Sequence, residues 1–284
     1  MKHRTTIAEL LEAKRQGRRI VAVSCYDYTT ARLVAQSPTD LILVGDSAAE
    51  VMLGHDSTLP ATMDFMLAIT DAVRRGAPDL YLVADMPFLS YHASISEAVH
   101  NAGRFLREAG AQMVKIEATE AYLDTIGAVT DAGIPVMGHV GIRPQRIAMT
   151  GRLRADGTTA ETALEVIELS RRIMEAGASA LLVEGTATEV ARIVAERCEG
   201  PVVSCGSGAG CDGQILIAPD ILGLGLEPGP KFTTRYAELG RQAVEAFARY
   251  AEDVKAGRFP DDERSYHMKP GEHERLTELL GRTA

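Results

Sequence analysis

The chain has 284 residues, 46% of them hydrophobic, and a formal net charge of −9 at pH 7. This length and apolar content suffice for one large core of the barrel type or for two smaller domains. The negative charge argues against general nucleic-acid binding, and no apolar run reaches the ~18 residues that would predict a transmembrane helix. We therefore expect neither a nucleic-acid partner nor a membrane partner.

The amino terminus and the cysteines indicate the compartment. Residues 1–16, MKHRTTIAELLEAKRQ, form a polar amphipathic stretch without the apolar segment of a signal peptide. A zinc site built from Cys205, Cys211 and a histidine is disfavoured because the spacing is atypical. The cysteines show no CxxC pairing, so we expect reduced thiols in a cytoplasmic protein. They are Cys25, Cys198, Cys205 and Cys211.

Short apolar runs alternate with helical patterns along the chain. The predicted strands are, in chain order, 19–27, 41–47, 80–87, 113–118, 134–141, 180–186, 201–208 and the weaker 214–219. Helical patterns between them include 62–75, 94–109, 120–132, 160–177 and 187–198. Three of these patterns end in the related tetrapeptides EAGA or DAGI, whose glycine is typical of a helix end.

Strands that alternate with helices predict a parallel α/β fold. Eight of them favour a (β/α)8 barrel, with an open doubly wound sheet as the alternative because strand count alone does not prove closure. Segment 235–257 has the pattern of one long amphipathic helix, and the chain is polar from about residue 258. We expect one barrel domain over residues 1–284 with this polar tail.

Acidic residues and a histidine stand at the carboxyl ends of five predicted strands. They are Asp46, Asp85, Glu117, His139 and Glu184. A single acid in this place is usually a helix cap or a turn residue. Five coincident ends are harder to explain by capping, because all the strand ends of a parallel barrel open on the face that carries barrel active sites.

Charges within one predicted strand also indicate a polar pocket. Strand side chains alternate, so Lys115 and Glu117 point the same way, whereas Val114 and Ile116 face the helix layer. Carboxylates crowded together repel one another, and a divalent cation removes that repulsion. Oxygen ligands favour a hard ion such as Mg²⁺, and Lys115 adds a positive charge for an anionic substrate.

A series of motifs resembles the ketopantoate hydroxymethyltransferase family. They are YDYTTARL, LVGDS, GHDSTLPAT, AVRRGAP, ADMPFLSY, EAGAQMVKIEA, GHVGIRPQ, GAGCDGQILI and PDILGL, and they run in order from about Thr5 to His267. The resemblance implies a (β/α)8 barrel of the phosphoenolpyruvate/pyruvate superfamily. It also implies transfer of a hydroxymethyl group from 5,10-methylenetetrahydrofolate to 3-methyl-2-oxobutanoate, giving 2-dehydropantoate in pantothenate biosynthesis.

The resemblance assigns roles to individual residues. It implies that Asp46 and Asp85 are magnesium ligands and that Glu117 contacts the metal directly or through its water. Ser47, Lys115 and His139 match residues that hold the oxo acid, and Glu184 matches the proposed base. The implied reaction removes the C3 proton, forms a metal-stabilised enolate and attacks the one-carbon unit of the folate. A cytoplasmic homo-oligomer, often a decamer, is implied as well.

Several positions depart from the family pattern. Ala48, Ala49 and Glu50 stand where the family has Leu, Gly and Met, Arg143 replaces a threonine, and segment 150–159, TGRLRADGTT, lacks a family tyrosine. These changes leave the accepted oxo acid and the one-carbon donor open. The alternative is a related metal-dependent aldol-type transferase or carbon–carbon lyase that acts on a different 2-oxo acid. A catalytically inactive binding protein is disfavoured because no metal or base position is lost.

Overall fold

Eight parallel strands form a closed barrel in the computed structural model, which describes residues 4–282. Neighbours in sequence pair with each other, and the last strand pairs with the first. The strands are β1 Ile20–Ser24, β2 Leu41–Val44, β3 Tyr81–Asp85, β4 Met113–Glu117, β5 Val136–Gly141, β6 Ala180–Glu184, β7 Val202–Cys205 and β8 Gly213–Ile217. The predicted (β/α)8 barrel is confirmed, and closure rules out the open sheet.

Helices follow or precede the strands throughout the chain. They are α1 Ile7–Arg15, α2 Tyr28–Val34, α3 Ala48–Val51, α4 Met63–Gly76, α5 Ile95–Ala109, α6 Leu123–Asp131, α7 Ile147–Thr150, α8 Ala160–Glu175, α9 Thr188–Arg197, α10 Ala218–Leu222, α11 Leu239–Lys255 and α12 Glu272–Gly281. Short 3-10 turns occur at Glu120–Tyr122, Pro144–Arg146 and Asp262–Arg264.

Side-chain caps fix where the longer helices begin. Thr62 accepts the Phe65 N–H at 3.2 Å before α4, and Ser94 accepts the Glu97 N–H at 3.2 Å before α5. Helix α5 ends at Gly110, which has a φ of 66°. This confirms the helix end predicted from EAGA, because glycine enters the left-handed region without a Cβ clash.

The core has an inner and an outer layer. Alternate strand residues such as Leu43, Val83 and Met113 fill the barrel interior, and Leu10 of α1 belongs to the same cluster. The intervening residues, Val114 among them, pack against the surrounding helices. The two-residue period of the strands therefore assigns each strand side chain to one of these layers.

The chain divides into two compact units, one ending at Tyr236 and the other beginning at Ala237. The second unit contains α11, which lies inside the segment predicted to be a long amphipathic helix, and α12. The predicted single domain over 1–284 with a polar tail from about 258 stays a prediction. None of the helices in residues 4–282 is long and apolar enough to cross a membrane.

Candidate active site

The predicted site residues lie at the carboxyl end of the barrel. Six of them, all except Glu117, line one cavity of about 180 Å³. Those six are Asp46, Ser47, Asp85, Lys115, His139 and Glu184. Each of three strands carries an interior apolar residue followed, two positions later on the same face, by a predicted site residue. The pairs are Val83 and Asp85 on β3, Met137 and His139 on β5, and Leu182 and Glu184 on β6. These predicted site residues therefore continue the interior rows to the open end of the barrel.

Lys115 is a buried cation with a defined partner. Its Nζ lies 2.9 Å from Asp85 Oδ2, and the exposed fractions of the two side chains are 5% and 1%. Burial would lower the pKa of Lys115, but the carboxylates of Asp85, Asp46 and Glu117 raise it above its ordinary value. The ammonium is therefore charged at neutral pH.

Asp46 and Asp85 are held close together. The Asp46 N–H donates to Asp85 Oδ2 at 3.1 Å, while the buried Asp85 Oδ1 has no hydrogen-bond partner among the described residues. Burial, followed by repulsion from Asp85, raises the pKa of the Asp46 carboxyl well above its usual range. Two carboxylates in this proximity favour a positive charge between or beside them.

Gln145 connects this pair to Glu117, a role that the sequence did not predict. Its side-chain Nε2 donates to Asp46 Oδ2 at 2.8 Å and to the Met86 carbonyl at 3.0 Å. Its backbone N–H donates to both Glu117 carboxylate oxygens, at 3.2 and 3.1 Å. Burial raises the pKa of Glu117 to about 8 despite the nearby Lys115. The only sequence signal for Gln145 is its place in the GHVGIRPQ motif, just after β5.

The carboxylates fit a hard divalent cation in chemistry, but Asp46, Asp85 and Glu117 do not form one group of three ligands. Within residues 4–282, no three His, Cys, Asp or Glu side chains form a group that could hold a metal ion. Asp46 and Asp85 are together, whereas Glu117 is bound to the Gln145 backbone. The oxygen donors and the orphaned Asp85 Oδ1 are nevertheless what Mg²⁺ prefers.

His139 lies between Lys115 and Glu184. Its Nδ1 is 3.3 Å from Lys115 Nζ, and its Nε2 is 3.3 Å from Glu184 Oε2 in a contact outside hydrogen-bond geometry. Burial, followed by Lys115, lowers the pKa of His139, so the ring is neutral. An ammonium can only donate, so Nδ1 accepts and the ring proton is on Nε2, towards Glu184.

Glu184 is the most accessible of the four predicted site carboxylates. It is the last residue of β6, its side chain is 21% exposed, and it lines the cavity. Cys205 is its register partner on β7 and lines the same cavity. Burial raises the pKa of the Cys205 thiol, which is therefore neutral. All four cysteines are free thiols.

Ser47 and the divergent positions shape the rim of the cavity. The Ser47 hydroxyl lies 2.9 Å from the Tyr26 hydroxyl. Ala48 and Ala49 are fully buried, whereas Glu50 lines the cavity. Arg143 instead donates to the Ala118 carbonyl at 3.3 Å, away from the lining residues. Of the positions that depart from the family at 48–50 and 143, only Glu50 therefore reaches the cavity.

The fold and this polar barrel mouth define a (β/α)8-barrel enzyme. Among solved structures, the chain is similar to 2,3-dimethylmalate lyase of the PEP mutase/isocitrate lyase superfamily, with a TM-score of 0.59, 18% identity and 99% of each chain covered. It is also similar to phosphonopyruvate hydrolase in complex with oxalate and Mg²⁺, with a TM-score of 0.60, 15% identity, and 97% of this chain and 95% of that one covered. At such identities the likeness shows the fold alone.

Sequence relatives are far more similar. The family model described as ketopantoate hydroxymethyltransferase matches residues 4–262. The 3-methyl-2-oxobutanoate hydroxymethyltransferase of Hyperthermus butylicus is 46% identical over 100% of this chain and 98% of its own length. That of Geobacillus thermodenitrificans is 42% identical over 94% and 96%, and that of Nitrosopumilus maritimus 38% over 97% and 99%. The chain belongs to the ketopantoate hydroxymethyltransferase family and is a transferase, as the resemblance predicted.

Proposed function

We propose that this chain transfers a hydroxymethyl group from 5,10-methylenetetrahydrofolate to 3-methyl-2-oxobutanoate, giving 2-dehydropantoate in pantothenate biosynthesis. The observation that carries the proposal is the meeting of Lys115, His139 and Glu184 in one cavity of about 180 Å³, in a chain whose relatives bear the name of this activity. A cation, a neutral donor and a partly exposed carboxylate are the groups that such a transfer needs.

Asp46 and Asp85 would hold a divalent cation, which we take to be Mg²⁺, and Glu117 would contact it directly or through its water. All three are buried, and they supply only oxygen atoms as ligands. When bound, the cation would stabilise the negative charge that develops on the oxygen atoms of the oxo acid. Gln145 would keep Asp46 in place, because its amide donates to Asp46 Oδ2.

Three side chains would orient the oxo acid. The Lys115 ammonium would attract the substrate carboxylate, and the Ser47 hydroxyl would donate at the rim. The Nε2 proton of His139 would pass from its contact with Glu184 to the oxygen on which charge develops. Lys115 and His139 are already fixed by their mutual contact at 3.3 Å. Little reorganisation is then needed when the substrate binds.

Glu184 would act as the general base. Its carboxylate would take the proton from C3 of the oxo acid, and the electron pair left behind would form the new bond to the methylene carbon of the donor. One bond from that carbon to a donor nitrogen would break as the new bond forms, and water would then displace the second donor nitrogen and supply the hydroxyl group. Tetrahydrofolate would leave with two protons on its freed nitrogens, the one taken from C3 and one from the water. Its position at the end of β6, partly exposed and facing the cavity, supports this role.

The test is hydrogen exchange at C3 of 3-methyl-2-oxobutanoate in deuterated water, without the folate donor. We expect the wild-type protein to catalyse exchange and Glu184→Gln to lose about 10²–10⁴-fold in rate, the usual effect of removing a general base. Glu50→Gln is the matched control, because it also removes a carboxylate from the cavity lining. Exchange at the wild-type rate in Glu184→Gln would show that the base is another residue. Product masses from a panel of 2-oxo acids with the donor then identify the acceptor.

A further inference from the structure

A second cavity beside the active site is unusually rich in arginine. It has a volume of about 450 Å³, and its charged lining residues are Arg143, Arg146, Arg152, Arg154 and Asp156. We call it the arginine cavity. Four guanidinium groups facing one carboxylate leave a strong positive excess, which attracts anionic groups.

Three of the four arginines form no ion pair in the described residues. Arg143 Nη2 lies 4.0 Å from Asp156 Oδ2, the one ion pair of the cavity, whereas Arg146, Arg152 and Arg154 form none within residues 4–282. Burial, followed by the neighbouring Arg146, lowers the pKa of Arg143. Carboxylate groups supplied by a ligand would relieve this repulsion and pair with the guanidinium forks.

A depression next to the arginine cavity shows which of the arginines lack acidic neighbours. It shares Arg143 and Arg146 with the arginine cavity, but it also carries acidic side chains. Those acids include Glu161, Glu165 and Glu168. The uncompensated charge therefore lies on the side of the cavity formed by Arg152 and Arg154.

The arginine cavity adjoins the active-site cavity of about 180 Å³, which we call the reaction cavity. Leu153 lines both of them. The segment that carries the arginines is fixed at Asp156, whose N–H donates to the Gly185 carbonyl at 3.0 Å and whose carbonyl accepts the Ala187 N–H at 3.1 Å. Gly185 follows Glu184 directly, so the cluster is attached to the strand end that carries the proposed base.

The reaction cavity is too small to contain both substrates. Its volume of about 180 Å³ lies below the ~300–1,000 Å³ of sites that enclose drug-sized ligands. Much of a folate must therefore lie outside it. Another depression also borders the reaction cavity and shares Phe232 with it, but no charged side chain lines that depression.

We propose that the arginine cavity binds the carboxylate-bearing glutamyl tail of the one-carbon donor. This assignment rests on the proposed function, in which a folate is the donor. The oxo acid has only one carboxylate, and Lys115 is placed to receive it inside the reaction cavity. A chain of carboxylates entering past Leu153 meets Arg152 and Arg154 and needs no acidic group to be displaced.

The experiment compares the KM for monoglutamyl and triglutamyl 5,10-methylenetetrahydrofolate in the wild-type protein and in Arg152→Gln/Arg154→Gln. We expect the wild-type protein to have a lower KM for the triglutamyl donor than for the monoglutamyl donor. The ratio of these two KM values should be about tenfold smaller in the double variant. The matched control is Arg75→Gln/Arg197→Gln, which removes two charges from the last turns of α4 and α9, at the opposite end of the barrel. We expect it to keep the wild-type preference.

Two further measurements make the outcome decisive. Free tri-γ-glutamate should inhibit competitively against the triglutamyl donor, whereas inhibition that is not competitive would indicate a separate effector site and overturn the assignment. An unchanged preference in Arg152→Gln/Arg154→Gln would overturn it as well. Donor-independent C3 exchange by the wild-type protein is followed in parallel. Its absence counts against the proposed function, while its presence with an unchanged donor preference counts against the tail site alone.

Discussion

Lys115 and Glu117 lie two residues apart on the same face of β4, but each has a different principal partner. Lys115 Nζ lies 2.9 Å from Asp85 Oδ2, whereas the carboxylate of Glu117 accepts the Gln145 N–H. Asp85 depends on Lys115 in turn, because its other oxygen is buried without a partner. A lysine that only bound substrate could be removed with little effect on the fold, but this one also neutralises a buried carboxylate.

Lys115→Met should therefore reduce both stability and substrate affinity. Breaking a buried pair by removing one partner typically lowers the free energy of unfolding by about 3–5 kcal/mol. The KM for 3-methyl-2-oxobutanoate should also rise, because the substrate carboxylate loses its cation. Denaturant unfolding and steady-state kinetics measure the two effects.

The double variant Lys115→Met/Asp85→Asn separates the structural role from the binding role. It removes both charges of the pair, so most of the lost stability should return. The oxo-acid affinity should not return, since the cation is still missing. A double variant as unstable as Lys115→Met would show that the Asp85 contact does not carry the stability of this site.

At the scale of the elements, the two-residue strand period made the facing of the strand side chains predictable. It assigned Lys115 and Glu117 to one face, and their row begins with the interior residue Met113. The first strand was predicted too long, at 19–27 against Ile20–Ser24. The reason is that the Asp27 carboxylate accepts the Thr30 N–H at 2.8 Å and so begins α2. Short-range capping of this kind ends a strand that its apolar pattern would continue.

Gln145 could not be predicted because its contacts depend on tertiary structure. It lies in a short 3-10 turn after β5, yet its side chain reaches Asp46, 99 positions earlier in the chain. No periodicity links such residues, and an amide is not a residue type that a search for charged groups selects. The arginine cavity has the same origin, since Arg143 and Arg154 meet only when Asp156 binds the end of β6.

The junction of β5 and β6 positions Glu184 and gives a prediction at this scale. Gly141 has a φ of 90°, and a Cβ at this position would lie 2.1 Å from the Glu184 carbonyl oxygen. That same carbonyl accepts the Ile142 N–H at 2.9 Å. Gly141→Ala should therefore separate the two strand ends, reduce stability and slow C3 exchange because the proposed base moves.

Gly133→Ala is the matched control. Gly133 has a φ of 82°, and a Cβ there would meet nothing within 4 Å, so it carries the same backbone strain without the clash. We expect Gly141→Ala to be the less stable variant by a further ~1–3 kcal/mol, the usual effect of overpacking, and Gly133→Ala to exchange at the wild-type rate. Equal melting temperatures and equal exchange rates in the two variants would contradict this prediction.

At the scale of the whole molecule, the barrel mouth concentrates negative charge in an already acidic chain of net charge −9. The reaction cavity is lined by one ammonium group, that of Lys115, and by five carboxylates. The five are Asp46, Glu50, Asp85, Glu184 and Asp220. An anionic oxo acid entering this cavity is repelled by most of its lining, so its binding should require an added cation.

The last prediction follows from this imbalance and concerns the metal. Protein treated with a chelator should bind 3-methyl-2-oxobutanoate weakly in calorimetry, and Mg²⁺ should restore both binding and C3 exchange. Mg²⁺ should also raise the melting temperature, because a ligand of the folded state at about 100 times its Kd adds about 2.7 kcal/mol to the free energy of unfolding. Asp85→Asn should abolish the Mg²⁺-dependent rise, whereas Asp71→Asn, which removes a carboxylate paired with Arg75 on the surface of α4, should retain it. Full oxo-acid binding and exchange in excess chelator would show that Lys115 alone offsets the carboxylates and that no cation takes part.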